Sequence, residues 1–166
     1  MRKYQAEVNL DILRVLGVTD DGNQTQIFLG PDEKEWAQKV WSLPEWKGQR
    51  VKVGINPTGT WSSKRWPTGY WRTLIGRIGN DWGVKPVLVG GPDDGEILRE
   101  VGSGLEEKTL RMPPTTLLQA AAFIAGLDLI IGNDGTPQHM AQAFGVSSLT
   151  LCGPHWGLGW IKAGDP

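Results

Sequence analysis

Short apolar runs, glycine-rich turns and longer amphipathic runs alternate along the chain, and this alternation restricts its fold more than any other feature. The apolar runs have the length of strands and lie at residues 51–56, 86–90, 129–132 and 149–152, with a weaker run at 109–112 and an extra one, expected at a sheet edge, at 26–29. Most are apolar on both faces, which is typical of a parallel sheet covered by helices on each side.

Amphipathic stretches with helical spacing separate these runs. They cover residues 32–43, 70–82, 116–125 and 137–144, of which the third is apolar nearly all round and is expected to form a buried helix. Pro31 provides a start signal for the first stretch, and Gly83 and Gly145 provide stop signals for the second and fourth. Strands that alternate with helices predict an α/β fold with a doubly wound, Rossmann-like parallel sheet. Right-handed crossovers then bring the loops that follow the strands to one edge, where such sheets bind ligands.

Composition excludes several other classes of protein. The chain has 166 residues with 17 Lys and Arg against 18 Asp and Glu, a formal charge of -1, so no net charge attracts nucleic acid or an anionic membrane. The longest uncharged stretch, residues 112–127, is too short and too polar for a transmembrane segment. The single cysteine, Cys152, excludes an intrachain disulfide. It falls in a strand pattern, which predicts a position in the core.

Both ends of the chain have the pattern of cuts in a longer architecture. The first sixteen residues carry one apolar helical face, formed by Val8, Ile12, Leu13 and Leu16, with no element before it. The last residues follow a loop rich in glycine and tryptophan. The alternative interpretation is a compact domain with loose ends.

The first informative loop, residues 56–67, follows a predicted strand and precedes a predicted helix. It combines hydroxyl side chains, a glycine at position 59 and the adjacent cations Lys64 and Arg65. Hydroxyls, close backbone amides and a positive charge at a helix start can bind phosphate. The loop does not match a Walker motif, because no glycine precedes Lys64 and no Ser or Thr follows it. An ordinary solvated surface loop remains the alternative.

The second loop, residues 90–96, joins paired glycines to two carboxylates. The glycines allow a ligand to come close, and a carboxylate at a helix start can accept two hydrogen bonds from a ribose diol. The alternative is that Asp93 or Asp94 caps the helix and complements its dipole.

The third loop, residues 132–139, is an acidic glycine turn after a buried strand. The pattern predicts Thr136 as the helix cap and Pro137 as the first helical residue. His139 follows in the first turn, where its side chain and the helix N-terminus can face the same anion. A metal site is disfavoured, because His139, Asp134 and His155 lack a recognisable ligand spacing.

Together, the three loops resemble the lipopolysaccharide heptosyltransferase family, glycosyltransferase family 9. The resemblance covers residues 51–154, most of the chain, and rests on ordered motifs. They are Pro-Thr-Gly-Thr with Lys-Arg-Trp-Pro at 57–67, Gly-Gly-Pro-Asp at 90–93, Asn-Asp-Gly-Thr with His-Met-Ala at 133–141, and Leu-Cys-Gly-Pro at 151–154. It implies that the chain is the C-terminal, donor-binding half of a two-domain GT-B architecture. Residues 1–50 would be the linker end and an edge unit, and residues 51–166 the nucleotide-sugar-binding core.

The resemblance also implies a role for each motif residue. The implied donor-binding residues are Thr60 and Lys64 at the diphosphate, Thr58 and Gly59 in the same loop, Asp93 at the ribose, Thr115 near the base, Asp134 at the sugar hydroxyls, and Gly135, Thr136 and His139 along the phosphates. Family members usually read Asp-Thr/Ser-Gly, whereas this chain reads Asp-Gly-Thr at 134–136. The hydroxyl is displaced by one position, which puts the donor-sugar contact in question.

The reaction that the resemblance implies is inverting sugar transfer from a nucleotide-diphosphate sugar, with ADP-heptose as the family expectation and with no metal or cofactor. The acceptor would be a glycan or glycolipid of the cell envelope. An N-terminal acceptor-binding domain would supply the catalytic base, and this chain would stabilise the leaving group through Lys64 and His139. A cytoplasmic location would follow, with peripheral attachment at the inner face of the membrane as an option. The alternative is a stand-alone nucleotide-binding or protein-interaction module without catalysis.

Overall fold

The structure is a computed structural model that describes residues 4–19 and 22–153. The predictions for Pro154, for His155 and for the tail that follows lie outside the described residues. The prediction of a linker end over residues 1–50 and a core from residue 51 stays a prediction.

One five-stranded sheet forms the centre of the fold. Its strands are β1 (Val53–Asn56), β2 (Val87–Leu88), β3 (Leu110–Arg111), β4 (Leu129–Asn133) and β5 (Ser147–Leu151). They lie in the order β3-β2-β1-β4-β5, and every pair is parallel. The chain therefore runs outward from β1 in one direction, returns to β4 and runs outward in the other. This confirms the doubly wound sheet, and the reversal between β1 and β4 is its topological switch point.

The described helices pack on the two faces of this sheet, except for the first helix, Gln5–Val15, which contains no buried residue. They are α1 (Gln5–Val15), α2 (Pro31–Trp41), α3 (Thr68–Trp82), α4 (Gly95–Gly102), α5 (Leu117–Ile124) and α6 (Thr136–Ala143), with short 3₁₀ turns at Pro44–Trp46, Ser62–Lys64 and Pro92–Asp94. The stop signals are used as predicted, since Gly83 caps α3 with a φ of 65° and Gly145 follows α6 with a φ of 70°. None of the described helices is both long and apolar enough to cross a membrane.

Two apolar layers hold the helices to the sheet. On one side Trp41 stacks on Phe123 at a centroid distance of 4.2 Å, and Trp46 meets Phe123 edge-on at 5.5 Å. On the other side Trp71 of α3 is fully buried beside Ile55 and Ile75. Burial of such a tryptophan stabilises a fold by about 3 kcal/mol or more relative to alanine. These layers position the strand ends that carry the loops of interest.

The edge strand predicted at residues 26–29 is wrong. This segment is extended without strand pairing, and β3 and β5 form the edges of the described sheet. Ile27 and Leu29 instead pack against the apolar layer that contains Phe123, while Phe28 is 83% exposed. The apolar run that predicts a strand therefore reflects packing against this layer. The weaker prediction at residues 109–112 is confirmed as β3.

Candidate functional site

A cleft of about 650 Å³ opens at the carboxyl end of the sheet, across the switch point. The loops after β1, β2 and β4 and the first turns of α5 and α6 line it. Its wall contains every predicted donor-binding residue except two, namely Thr58, Gly59, Thr60, Asp93, Thr115, Asp134, Gly135 and Thr136. The two exceptions, Lys64 and His139, lie beside this wall and reach Asp134. The fold therefore brings the three loops together as predicted.

Thr58 and its neighbours form a loop whose conformation is fixed by the buried side chain of Asn56. The hydroxyl of Thr58 donates to Asn56 Oδ1 at 2.7 Å, and the Thr58 amide donates to the same oxygen at 3.2 Å. The other amide atom of Asn56, Nδ2, donates to Gln138 Oε1 of α6 at 3.0 Å. Thr58 is buried and its hydroxyl is already engaged, so it orients the loop, while Thr60 is exposed.

Asn133 joins the β1 loop to the β4 loop, and the sequence interpretation assigned it no role. Its Nδ2 donates to the carbonyls of Pro57 at 2.8 Å and Thr58 at 3.0 Å, and its Oδ1 accepts from the amide of Trp66 at 3.0 Å. The side chain is fully buried. A polar residue at the end of an apolar strand, next to the acidic turn, is the sequence signal that could have identified it. Asn133 therefore holds both ends of the predicted phosphate loop.

Asp134 is the point where Lys64 and His139 converge. Lys64 Nζ donates to Asp134 Oδ2 at 3.0 Å, and His139 Nε2 lies 4.0 Å from Asp134 Oδ1. The side chains of Lys64 and Asp134 are 25% and 13% exposed, so this ion pair is only partly solvated. Lys64 Nζ also lies 5.2 Å from the centre of the Trp61 ring. Lys64 and His139 thus occupy the same rim of the cleft.

The N-terminus of α6 differs by one residue from the prediction. Gly135 is the N-cap, Thr136 is the first helical residue and Pro137 the second, so the predicted capping role of Thr136 is wrong. Gly135 takes an extended backbone, and the missing N–H of Pro137 falls among the first-turn groups that have no intrahelical partner. Gly135 and Thr136 both line the cleft, so the positive end of the helix dipole faces it.

The two carboxylates of the β2 loop have different surroundings. Asp94 Oδ2 accepts from the amide of Gly91 at 2.7 Å and so caps the 3₁₀ turn Pro92–Asp94. Asp94 also occupies the N-cap position of α4, where its side chain makes no capping hydrogen bond. Asp93 lines the cleft, and within residues 4–19 and 22–153 its carboxylate has no hydrogen bond or ion pair. Asp94 therefore fits the capping role, and Asp93 fits the ribose-binding role because its carboxylate has no partner among the described residues.

Comparison with known proteins shows the family to which this chain belongs. The model of glycosyltransferase family 9 (heptosyltransferase) matches residues 10–158. The chain belongs to glycosyltransferase family 9. It is 32% identical over 96 residues to lipopolysaccharide heptosyltransferase 1 of Pseudomonas aeruginosa, a match that covers 57% of this chain and 26% of that protein.

Solved structures of family 9 proteins have the same fold. A family 9 glycosyl transferase from Veillonella parvula superposes with a TM-score of 0.79 at 27% identity, over 90% of this chain and 43% of the other. The E. coli heptosyltransferase WaaC solved with ADP superposes with a TM-score of 0.55 at 25% identity, over 60% of this chain and 32% of the other. This family 9 chain thus spans less than half the length of the relatives it matches, and the Rossmann-like sheet matches GT-B glycosyltransferase structures.

The cysteine of this family 9 chain is not in the core, contrary to the sequence prediction. Cys152 follows edge strand β5, whose first residues face solvent, and its side chain is exposed. Partial burial raises the pKa of the Cys152 thiol, the Asp134 carboxylate raises it further, and the Lys64 ammonium lowers it. The Cys152 thiol therefore lies close enough to the Lys64–Asp134 ion pair for both charges to affect its pKa.

Metal-ligating side chains do not cluster in the described part of this family 9 chain. No group of three His, Cys, Asp or Glu side chains there has the spacing to hold an ion. The expectation that catalysis needs no metal stays a prediction.

Proposed function

We propose that this chain binds the nucleotide-diphosphate sugar of an inverting, metal-independent glycosyltransferase, with ADP-heptose or a close analogue as donor. The observation that carries the proposal is the cleft at the switch point, whose wall combines the phosphate loop, a free carboxylate and a helix N-terminus. A separate acceptor-binding domain supplies the catalytic base and the glycan or glycolipid acceptor of lipopolysaccharide synthesis. The proposal includes a cytoplasmic location, with peripheral attachment at the inner face of the membrane as an option.

Each part of a nucleotide sugar has a chemical counterpart in the cleft. One wall is apolar and suits a base, with Met112, Leu117, Ala120, Ile124 and Met140. Thr115 lies beside this wall, and Asp93 offers a free carboxylate to the ribose diol. The first turn of α6 and the backbone of Gly59 and Thr60 offer N–H groups to phosphate oxygens. The relative solved with ADP supports adenine as the base.

The reaction proposed for the complete enzyme is a single displacement at the anomeric carbon. The acceptor hydroxyl oxygen bonds to that carbon while the bond from the carbon to the diphosphate oxygen breaks. The electron pair leaves with the nucleoside diphosphate, and the hydroxyl proton goes to the base of the acceptor domain. Negative charge develops on the diphosphate, where N–H donation from Lys64, His139 and the α6 N-terminus stabilises it. Asp134 is proposed to contact the donor-sugar hydroxyls from the same rim.

Titration calorimetry of this chain with ADP, UDP and GDP, repeated with EDTA, tests the proposal. We expect ADP to bind most tightly and chelation to leave its affinity unchanged. Lys64→Ala should weaken ADP binding by about tenfold or more, chiefly because it leaves the Asp134 carboxylate uncompensated near the phosphates. The matched control is Lys85→Ala, an exposed lysine before β2 and outside the cleft wall.

Three results would contradict the proposal or a part of it. A parent chain that binds none of the three nucleotides would favour the stand-alone interaction module. Loss of ADP affinity on chelation would overturn metal independence alone. Equal affinities in Lys64→Ala and Lys85→Ala would remove Lys64 from the diphosphate site.

A further inference from the structure

The positive charge in the cleft wall belongs to Arg65, the residue after the predicted phosphate ligand. Of the described residues that line the cleft, Arg65 is the only lysine or arginine. Lys64 points instead to the Asp134 carboxylate at 3.0 Å. Two adjacent cations at the end of one 3₁₀ turn thus have different partners, and Arg65 is the one that faces the ligand space.

The charge balance of the cleft requires such a residue. Its wall carries the carboxylates of Asp93, Asp94 and Asp134. The Lys64 ammonium is paired with Asp134, so this pair contributes no net charge toward a ligand. A nucleotide-diphosphate sugar brings two further negative charges into this space. The dipole of one helix N-terminus is equivalent to about half a charge, which alone does not compensate them.

Arg65 is held at one nitrogen and free at the others. Its Nε donates to the carbonyl of Gly59 at 2.7 Å. Within residues 4–19 and 22–153 the guanidinium forms no ion pair and no other hydrogen bond. Four of its five N–H donors therefore remain, in the planar fork that matches phosphate oxygens. The Gly59 carbonyl orients this fork from the same loop that lines the cleft.

Building on the proposed function, we propose that Arg65 binds the diphosphate oxygens of the donor through its terminal nitrogens, while Lys64 chiefly compensates Asp134. The Gly59 carbonyl acts as a tether that reduces the side-chain entropy lost when the diphosphate binds. The sequence order Lys-Arg thus separates two tasks, with one cation for the protein carboxylate and one for the ligand. Arg65 is then a diphosphate-binding residue outside the set implied by the family resemblance.

Calorimetric titration of the full 166-residue chain with ADP and with AMP tests this assignment. We expect Arg65→Ala to weaken ADP binding by about tenfold or more and AMP binding by clearly less, so that the ratio of the two affinities falls. Arg65→Lys should recover part of the ADP affinity, because it keeps the charge but loses the fork and the Nε tether. The matched control is Arg77→Ala, an exposed α3 arginine paired with Asp81, which should bind like the parent.

The outcomes separate this proposal from the proposed function. A parent chain that does not bind ADP overturns both. A parent that binds ADP, with Arg65→Ala binding it equally well, overturns the Arg65 assignment alone. An equal loss for ADP and AMP, or no recovery in Arg65→Lys, also overturns it, because the side chain then acts on loop structure rather than on the diphosphate. Unchanged melting of Arg65→Ala is expected, since the residue is exposed.

Discussion

Two parts of the cleft wall are built differently. The loops after β1 and β4 are joined to each other by buried side-chain amides, with Asn133 bonded to Pro57, Thr58 and Trp66 across the sheet. The loop after β2 has a hydrogen bond within itself, from the Gly91 amide to Asp94 three residues on. The first part is held by hydrogen bonds between segments that are distant in sequence, and the second is held by a hydrogen bond within one turn.

This difference has a functional meaning for a diphosphate site. Groups that stabilise developing charge are most effective when they are already in place. Hydrogen bonds between the two loops provide that pre-organisation. A ribose contact tolerates more adjustment, so a locally supported turn suffices there. The comparison predicts that equivalent changes have large effects in the first part and small ones in the second.

The largest effect is expected for Asn133→Ala. The change leaves two carbonyls and one amide without their buried partner, so the free energy of unfolding should fall by about 3 kcal/mol. The midpoint of thermal unfolding, followed by circular dichroism, should then fall by roughly 10 °C. Asn80→Ala is the control, an exposed α3 residue whose side chain accepts a 3.5 Å bond from Lys108, and we expect little change. Similar melting of both variants would remove the distinction between the two parts of the wall.

A paired glycine test follows. Gly132 lies opposite Asn56 in the β1–β4 register, and a Cβ there would come within 2.7 Å of Asn56 Cβ and 2.9 Å of the Asn56 carbonyl oxygen. Gly132→Ala should destabilise the chain by about 2 kcal/mol through overpacking. In the β2 loop, a Cβ on Gly91 would meet Asp94 Oδ2 at an ordinary 3.5 Å. Gly91→Ala should therefore change stability by less than about 0.5 kcal/mol. Urea titration measures both, and the reverse order would contradict the comparison.

A smaller effect is expected for Asp94→Ala. It removes the acceptor for the Gly91 amide at the start of the Pro92–Asp94 turn, at the surface, so the free energy of unfolding should fall by about 0.5–1 kcal/mol. ADP affinity should stay within about twofold, because the assigned ribose contact is Asp93. Asp94→Asn is the control that retains an acceptor oxygen. A loss of ADP affinity as large as that of Asp93→Ala would show that Asp94 acts in the site.

The smallest expected effect uses Cys152 as a reporter of the Lys64–Asp134 pair. The Asp134 carboxylate is one of the causes that raise the pKa of this thiol, so Asp134→Asn should lower that pKa. More thiolate is then present at any pH below the pKa, and alkylation by iodoacetamide at pH 8 should quicken by up to about twofold. Asp94→Asn, in the other part of the wall, should leave the rate unchanged. Slower alkylation in Asp134→Asn would contradict the assigned sign.

The sequence predicted the elements better than their ends and edges. Apolar periodicity predicted the strands from 51–56 to 149–152 and the helix at 70–82, because these signals depend on a few neighbouring residues. The same signal was misleading at residues 26–29, where Ile27 and Leu29 face an apolar layer without strand pairing. At α6 the threonine-proline start signal placed the cap one residue too late, because a proline fits more than one position of the first turn.

The predicted cleft residues came together, but their partners were not predictable. The bonds of Asn133 to Thr58 and of Lys64 to Asp134 join positions 75 and 70 residues apart in the chain, and no spacing rule reaches that far. The roles of Thr60, Thr115 and the other residues as donor contacts stay predictions.

The amino-acid sequence by itself determined the order of strands and helices and which loops carry hydroxyls, cations and carboxylates, because hydrophobic period and turn chemistry act over a few residues. The tertiary structure decided which of two adjacent cations faces the ligand space and which buried amide holds the phosphate loop. Both depend on β4 returning to pair with β1, with Asn56 opposite Gly132. That pairing brings the two loops to one edge, where side chains distant in sequence compete for the same hydrogen bonds and charges.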